Sequence, residues 1–126
     1  MIEVQQIHHV SLAVTDIERA KRFYREILCL EEIDRPNFGF PGAWYQIGNQ
    51  QLHLIVYLEA KTLRGTNELS SREGHFAFRV KSYDETLRWL KEKGVEIYEN
   101  PTSKSGFAQI FVADPDGNLI ELNTEQ

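Results

Sequence analysis

The sequence has one cysteine, Cys29, so no disulfide forms within the chain. Cys29 ends an apolar helical stretch, and that position predicts a buried thiol rather than a nucleophile. No apolar run approaches the length of a membrane span. The N-terminal MIEVQQIHHV has no basic region followed by an apolar core. Together these predict no membrane partner and a cytoplasmic location. There is no basic block either: 14 Lys and Arg stand against 19 Asp and Glu, a net charge of −5. That balance argues against nucleic acid as a partner.

What is present is a pattern that occurs twice. IHHVSLAV, residues 7–14, alternates as a strand, with His9, Ser11 and Ala13 on one face. Thr15 and Asp16 follow as a helix cap, with Glu18 placed for a capping box from Thr15. Ile17, Ala20, Phe23, Tyr24, Ile27 and Leu28 then repeat at helical spacing. A short strand is predicted over 30–33. The Pro- and Gly-rich 34–42 reads as a loop, and 43–47 and 52–58 as strands joined by Gly48-Asn49-Gln50.

Residues 60–74 are polar and have no period, which marks a linker. HFAFRV, residues 75–80, then restarts the pattern, with His75, Ala77 and Arg79 on one face. Ser82 and Glu85 form a second capping box. Tyr83, Thr86, Leu87 and Leu90 give the helix stripe, and Gly94 ends it. A short strand is predicted over 95–98 and a loop over 100–106. Strands 107–113 and 119–123 flank Asp114-Pro115-Asp116-Gly117, a turn in which Pro fixes one φ and Gly supplies another.

Each half thus reads strand, helix, three strands, and His9 falls on His75 at an offset of 66. His53 falls on Glu121 if the second hairpin turn is allowed about four extra residues. The expected fold is α+β, one domain of two βαβββ modules. The modules run over about 5–59 and 74–124, with a linker over 60–73. His53, Ile55 and Tyr57 share one face of their strand, and the aliphatic Leu52, Leu54, Val56 and Leu58 share the other. If the helices cover the aliphatic faces, His9, His53, His75 and Glu121 all stand on the opposite faces. Three imidazoles and a carboxylate are a credible set of ligands for a divalent metal.

These residues also carry a resemblance. HHVSLAVTDIERAKRFYREIL, GHFAFRV and DPDGNLIEL look like the vicinal oxygen chelate superfamily, over residues 7–123. That superfamily includes glyoxalase I, extradiol dioxygenases, methylmalonyl-CoA epimerase and the fosfomycin-resistance proteins. The resemblance implies a U-shaped, half-open barrel of paired modules and one divalent metal ion, Zn, Ni, Mn or Fe. By family position the ligands are His9, His75 and Glu121. The fourth family position, usually Glu in glyoxalase I and Gln in the epimerase, is His53 here. His53 and Glu121 are accordingly the candidate catalytic residues, with His53 a fourth ligand, a base, or a histidine hydrogen-bonded in the wall of the trough. The implied function is a metal-dependent lyase, isomerase or dioxygenase acting on a small molecule with vicinal oxygens. The alternative is a metal-free protein that sequesters a small molecule, as bleomycin-resistance proteins do.

Further candidates line up for the substrate. Arg79 shares the face of His75 and suits a carboxylate or a salt bridge. Phe38, Phe40 and Trp44 surround the Gly-Pro loop and suit an aromatic or apolar group. Half-sheets with unpaired edges, and related single-chain members whose modules pair between subunits, predict a homodimer.

Overall fold

The computed structural model describes residues 1–61 and 68–126. The linker predicted over 60–73 lies partly outside these. The chain divides into two compact units, Met1–Lys61 and Thr62–Gln126. Each has the order strand, helix, three strands, so the α+β class and the doubled βαβββ plan are as expected.

The first unit contains β1 (His9–Val14), α1 (Ile17–Lys21), a π-helical segment (Arg22–Ile27), β2 (Glu31–Ile33), β3 (Gly42–Ile47) and β4 (Gln50–Val56). Its sheet runs β1-β4-β3-β2. β1 lies parallel to β4, a pairing that needs the long connection the helix and intervening strands provide, and the other pairs are antiparallel. The second unit contains β5 (Phe76–Arg79), α2 (Tyr83–Glu92), β6 (Tyr98–Asn100), β7 (Phe107–Ala113) and β8 (Leu119–Glu125), in the order β5-β8-β7-β6. Among the described residues, no helix is long and apolar enough to cross a membrane.

Alternation builds each core. Leu12 and Val14 of β1, Ala43 and Tyr45 of β3, and Leu52 and Leu54 of β4 are all buried, together with Ala20, Phe23 and Tyr24 of the helical segment. Burying one such leucine contributes on the order of 2 kcal/mol. In the second unit Ile110, Val112, Ile120, Leu122 and Leu90 do the same.

Several boundaries differ from the sequence expectation. The first helix is capped by Asp16, whose Oδ1 accepts from the Arg19 amide at 3.1 Å. Thr15 instead accepts from Arg19 Nη2 at 2.9 Å through its hydroxyl. The helix widens after Lys21 into a π-helix, seen in the bond from the Leu28 amide to the Phe23 carbonyl at 3.0 Å. The adjacent Phe23 and Tyr24 are both buried there, edge to face, whereas Ile27 and Leu28 are only half-buried. Cys29 is not buried. It is exposed, in the left-handed conformation that ends the helix (φ 59), and the reversal of the chain turns its side chain outward.

The strand predicted over 95–98 forms at Tyr98–Asn100 instead. Val95 is taken by the end of α2: its amide bonds to Leu90 O and that of Gly94 to Lys91 O, each at 3.1 Å, with Gly94 at φ 71. This is a Schellman cap, and a residue inside it is not free to pair in a sheet. Tyr98 then stands opposite Phe111, and Asn100 opposite Gln109. His75 lies one residue before β5, and β4 begins at Gln50 and ends at Val56.

Candidate active site

The ladders place His53 and Glu121 at matching points of their units. His53 pairs with Ser11 on one side and Trp44 on the other. Glu121 pairs with Ala77 and with Phe111. Both side chains are buried, in the centre of a sheet.

In the second unit Glu121 stands in a chain of hydrogen bonds. Its Oε1 accepts from Gln109 Nε2 at 3.1 Å, and its Oε2 from Asn123 Nδ2 at 2.6 Å. Both amides are held in turn: Gln109 accepts from Asn100 Nδ2 at 3.0 Å, and Asn123 from Arg79 Nε at 2.7 Å. Burying a carboxylate is costly unless donors surround it, and two fixed amides meet that need. The DPDG turn aligns the hairpin. Asp114 Oδ1 accepts from the amides of Asp116 and Asn118, at 2.9 and 2.8 Å, and Gly117 closes the turn at φ 86.

His75 completes this group. Its Nδ1 lies 2.7 Å from the carbonyl of Glu73, and its Nε2 lies 3.2 Å from Glu121 Oε1. A carbonyl only accepts, so Nδ1 carries a proton. In the neutral ring Nε2 then presents a lone pair to a carboxylate oxygen. Two lone pairs in contact call for a cation between them, either a proton or a metal ion. A backbone carbonyl on the far nitrogen is also how metal-ligating histidines are commonly oriented. The donor set of His75 and Glu121 therefore fits a divalent ion. Arg79, also a candidate, has partners of its own: besides Asn123, it donates to Glu125 Oε1 at 2.9 Å.

In the first unit the His53 ring is sandwiched. It stacks on His9 with centroids 4.2 Å apart and on Trp44 at 4.1 Å. Trp44 is its cross-strand partner, which brings the rings together directly. His53 Nε2 donates to Gln51 Oε1 at 2.8 Å, leaving the lone pair on Nδ1. Burial first, and then the charges of His9, His8 and Arg35, push the His53 pKa down to about 4. The ring is neutral at pH 7. His9 is exposed, with its Nδ1 2.9 Å from His8 Nδ1.

Phe38, Phe40 and Trp44 come together around a cavity of about 230 Å³, walled also by His53, Ile55 and Arg35. Arg35 was not legible in the sequence; a lone arginine in a Pro-Gly loop carries no periodic signal. Its guanidinium sits 4.8 Å from the Phe38 ring centroid and 5.2 Å from that of Phe40. Gln51, Gln109 and Asn123 were also missed. Alternation does place Gln109 and Asn123 on the faces opposite Ile110 and Leu122. Thus the structure joins His9 to His53 in one unit and His75 to Glu121 in the other. Among the described residues, no three His, Cys, Asp or Glu side chains gather around one point that could hold an ion.

The model of the Glyoxalase/Bleomycin resistance protein/Dioxygenase superfamily matches residues 6–122. The chain is 29% identical over 126 residues to the metallothiol transferase FosB of Staphylococcus epidermidis, covering 98% of this chain and 84% of that one. It is 26% identical over 124 residues to "Glyoxylase I 4" of Arabidopsis thaliana, covering 96% and 71%. Among solved structures, a glyoxalase family protein from Bacillus anthracis aligns over 100% of this chain and 99% of its own, at 28% identity and a TM-score of 0.84.

Proposed function

This chain belongs to the Glyoxalase/Bleomycin resistance protein/Dioxygenase superfamily, and from that membership we propose that it is a metal-dependent enzyme acting on a small molecule with neighbouring oxygens. The observation that carries the proposal is the facing of His75 Nε2 and Glu121 Oε1 at 3.2 Å, with Nδ1 already committed to Glu73 O. A bound divalent ion would supply Lewis acidity towards two adjacent substrate oxygens. His75 and Glu121 would hold it, and His9 and His53, the other two family positions, are the remaining candidate ligands. Zn, Ni, Mn and Fe all suit such imidazole and carboxylate donors.

The surrounding residues have defined work in this reading. Glu73 O fixes the tautomer of His75. Gln109 and Asn123 orient the Glu121 carboxylate by donating to it. His53 acts as a ligand rather than a base. Its Nε2 donates to Gln51, so Nδ1 is the atom that would bind. The aromatic pocket beside His53 receives the body of the substrate. Each four-stranded sheet leaves two edge strands, which supports a homodimer. A cytoplasmic setting suits a protein with one exposed, unpaired thiol.

Elemental analysis after incubation with each ion tests the proposal. One equivalent per chain is expected for wild type, with much weaker retention by Glu121→Gln and His75→Asn. Wild-type protein that takes up none of the four ions at neutral pH contradicts it. The second reading, a metal-free binding protein, is favoured by one feature, the aromatic pocket. It gains if a small aromatic ligand binds while no ion does.

A further inference from the structure

The pocket of the first unit contains an arginine that makes no ion pair among the described residues. Arg35 donates from Nη1 to the carbonyl of Phe40 at 3.1 Å, and its buried Nε has no partner. Among the described residues, no carboxylate lies within salt-bridge distance of it. The guanidinium is permanently charged and poorly served here. Its flat faces are covered by Phe38 and Phe40, and Gly42 allows it to lie close against β3. The other walls of the cavity, Trp44, His53 and Ile55 among them, include no acid.

We propose that this pocket recognises a small aromatic carboxylate, with Arg35 pairing to the carboxylate and the ring lying among Phe38, Phe40 and Trp44. Size sets the class. A cavity of about 150 Å³ lined by apolar side chains accepts benzene. At about 230 Å³ the pocket has room for one ring and a short charged substituent. Charge sets the sign, because a cationic ligand would meet the guanidinium. Shape sets the headgroup, because a planar fork matches a carboxylate with two parallel hydrogen bonds. The inference rests on the reading of this pocket as the place of the substrate and names the class of ligand it takes; it does not require the metal, because the pairing is made by Arg35.

Titration of the purified 126-residue chain with benzoate, and separately with its neutral isostere benzamide, tests this. The readout is the two indole N–H signals, of Trp44 and Trp89, in the nitrogen–proton correlation spectrum. Trp89 lies on α2, outside the pocket, and Lys93 covers its ring at 4.6 Å. Benzoate should shift the Trp44 signal saturably and leave that of Trp89 in place. Benzamide should bind at least about tenfold more weakly, the loss expected when a charged hydrogen bond is removed. Arg35→Met should abolish the preference for benzoate, and Arg35→Lys, which keeps the charge, should retain part of it. If Arg35→Met does not fold, the wild-type pair of ligands and Arg35→Lys still decide the matter. Equal binding of benzoate and benzamide, no shift of Trp44 with either, or an equal shift of Trp89 overturns the proposal. So does benzoate binding that disappears with EDTA, which would place the carboxylate on an ion. Metal content is measured on the same preparations, so a failure here is distinct from a failure to take up metal.

Discussion

Gly42→Ala is a small change with a large expected effect. Gly42 opens β3 opposite Ile55 of β4. A methyl group there would press inside contact distance of the Leu54 carbonyl and lie 2.7 Å from both Cζ and Nε of Arg35. A comfortable carbon–oxygen approach is about 3.3 Å. Arg35 has a flexible stem and can swing aside. Leu54 O cannot, because β4 is held between β1 and β3. The strand itself must move. Overpacking of this kind costs about 1–3 kcal/mol, and a clash with backbone belongs at the upper end. Urea unfolding of wild type, Gly42→Ala, Arg35→Ala and the double variant measures it. Arg35→Ala removes one of the two contacts, so the penalty for Gly42→Ala should shrink in that background without vanishing, a coupling of roughly 0.5 kcal/mol or more. Gly42→Ala within about 0.5 kcal/mol of wild type would refute the close approach.

Two further perturbations follow from buried groups. The Tyr45 hydroxyl is buried with no hydrogen-bond partner, and its pKa is pushed up to about 12, by burial first and then by the charge of Glu32. Tyr45→Phe should therefore leave stability unchanged or raise it by up to about 1 kcal/mol, and a loss greater than 1 kcal/mol in urea unfolding would show that the hydroxyl is satisfied. His53, held at about pKa 4, excludes in the native state a proton that the unfolded chain takes up near pH 6.5. Its contribution is complete above pH 6.5 and is lost as the pH falls towards 4, by up to about 3 kcal/mol. The stability of metal-free wild type minus that of His53→Gln should fall over that window; parallel pH profiles would contradict the buried neutral ring.

The strand periodicities carried most of the fold. Alternation around His53 and Glu121 put each on the face opposite the aliphatic residues, and the ladders bear this out by giving both the same position in their sheets. Turn chemistry was as informative at Gly117 and Gly94. What escaped depended on competition between neighbours. Thr15 and Asp16 are both good caps, and only the three-dimensional path decides that Asp16 bonds the Arg19 amide. Helical spacing does not foretell a π-helix, because Phe23 and Tyr24 fit either winding. Cys29 in a left-handed conformation has no signal in composition, as that place usually goes to glycine. In the site, histidines and a carboxylate stand out by type. Gln109, Asn123 and Arg35 matter through what they touch: Asn123 is held by Arg79 from 44 residues away, and Arg35 meets Phe38 and Phe40 through a loop that has no period.

The most direct test of the metal reading looks at one ring. The imidazole nitrogens of His75, observed by nitrogen-15 NMR in metal-free protein and then during titration with Zn²⁺, report both the tautomer and the ligand atom. The geometry predicts a proton on Nδ1 throughout, held by Glu73 O, and a large shift confined to Nε2 as the ion binds. A proton found on Nε2 with Nδ1 bare, or an Nε2 signal that stays in place at saturating Zn²⁺, would contradict the account.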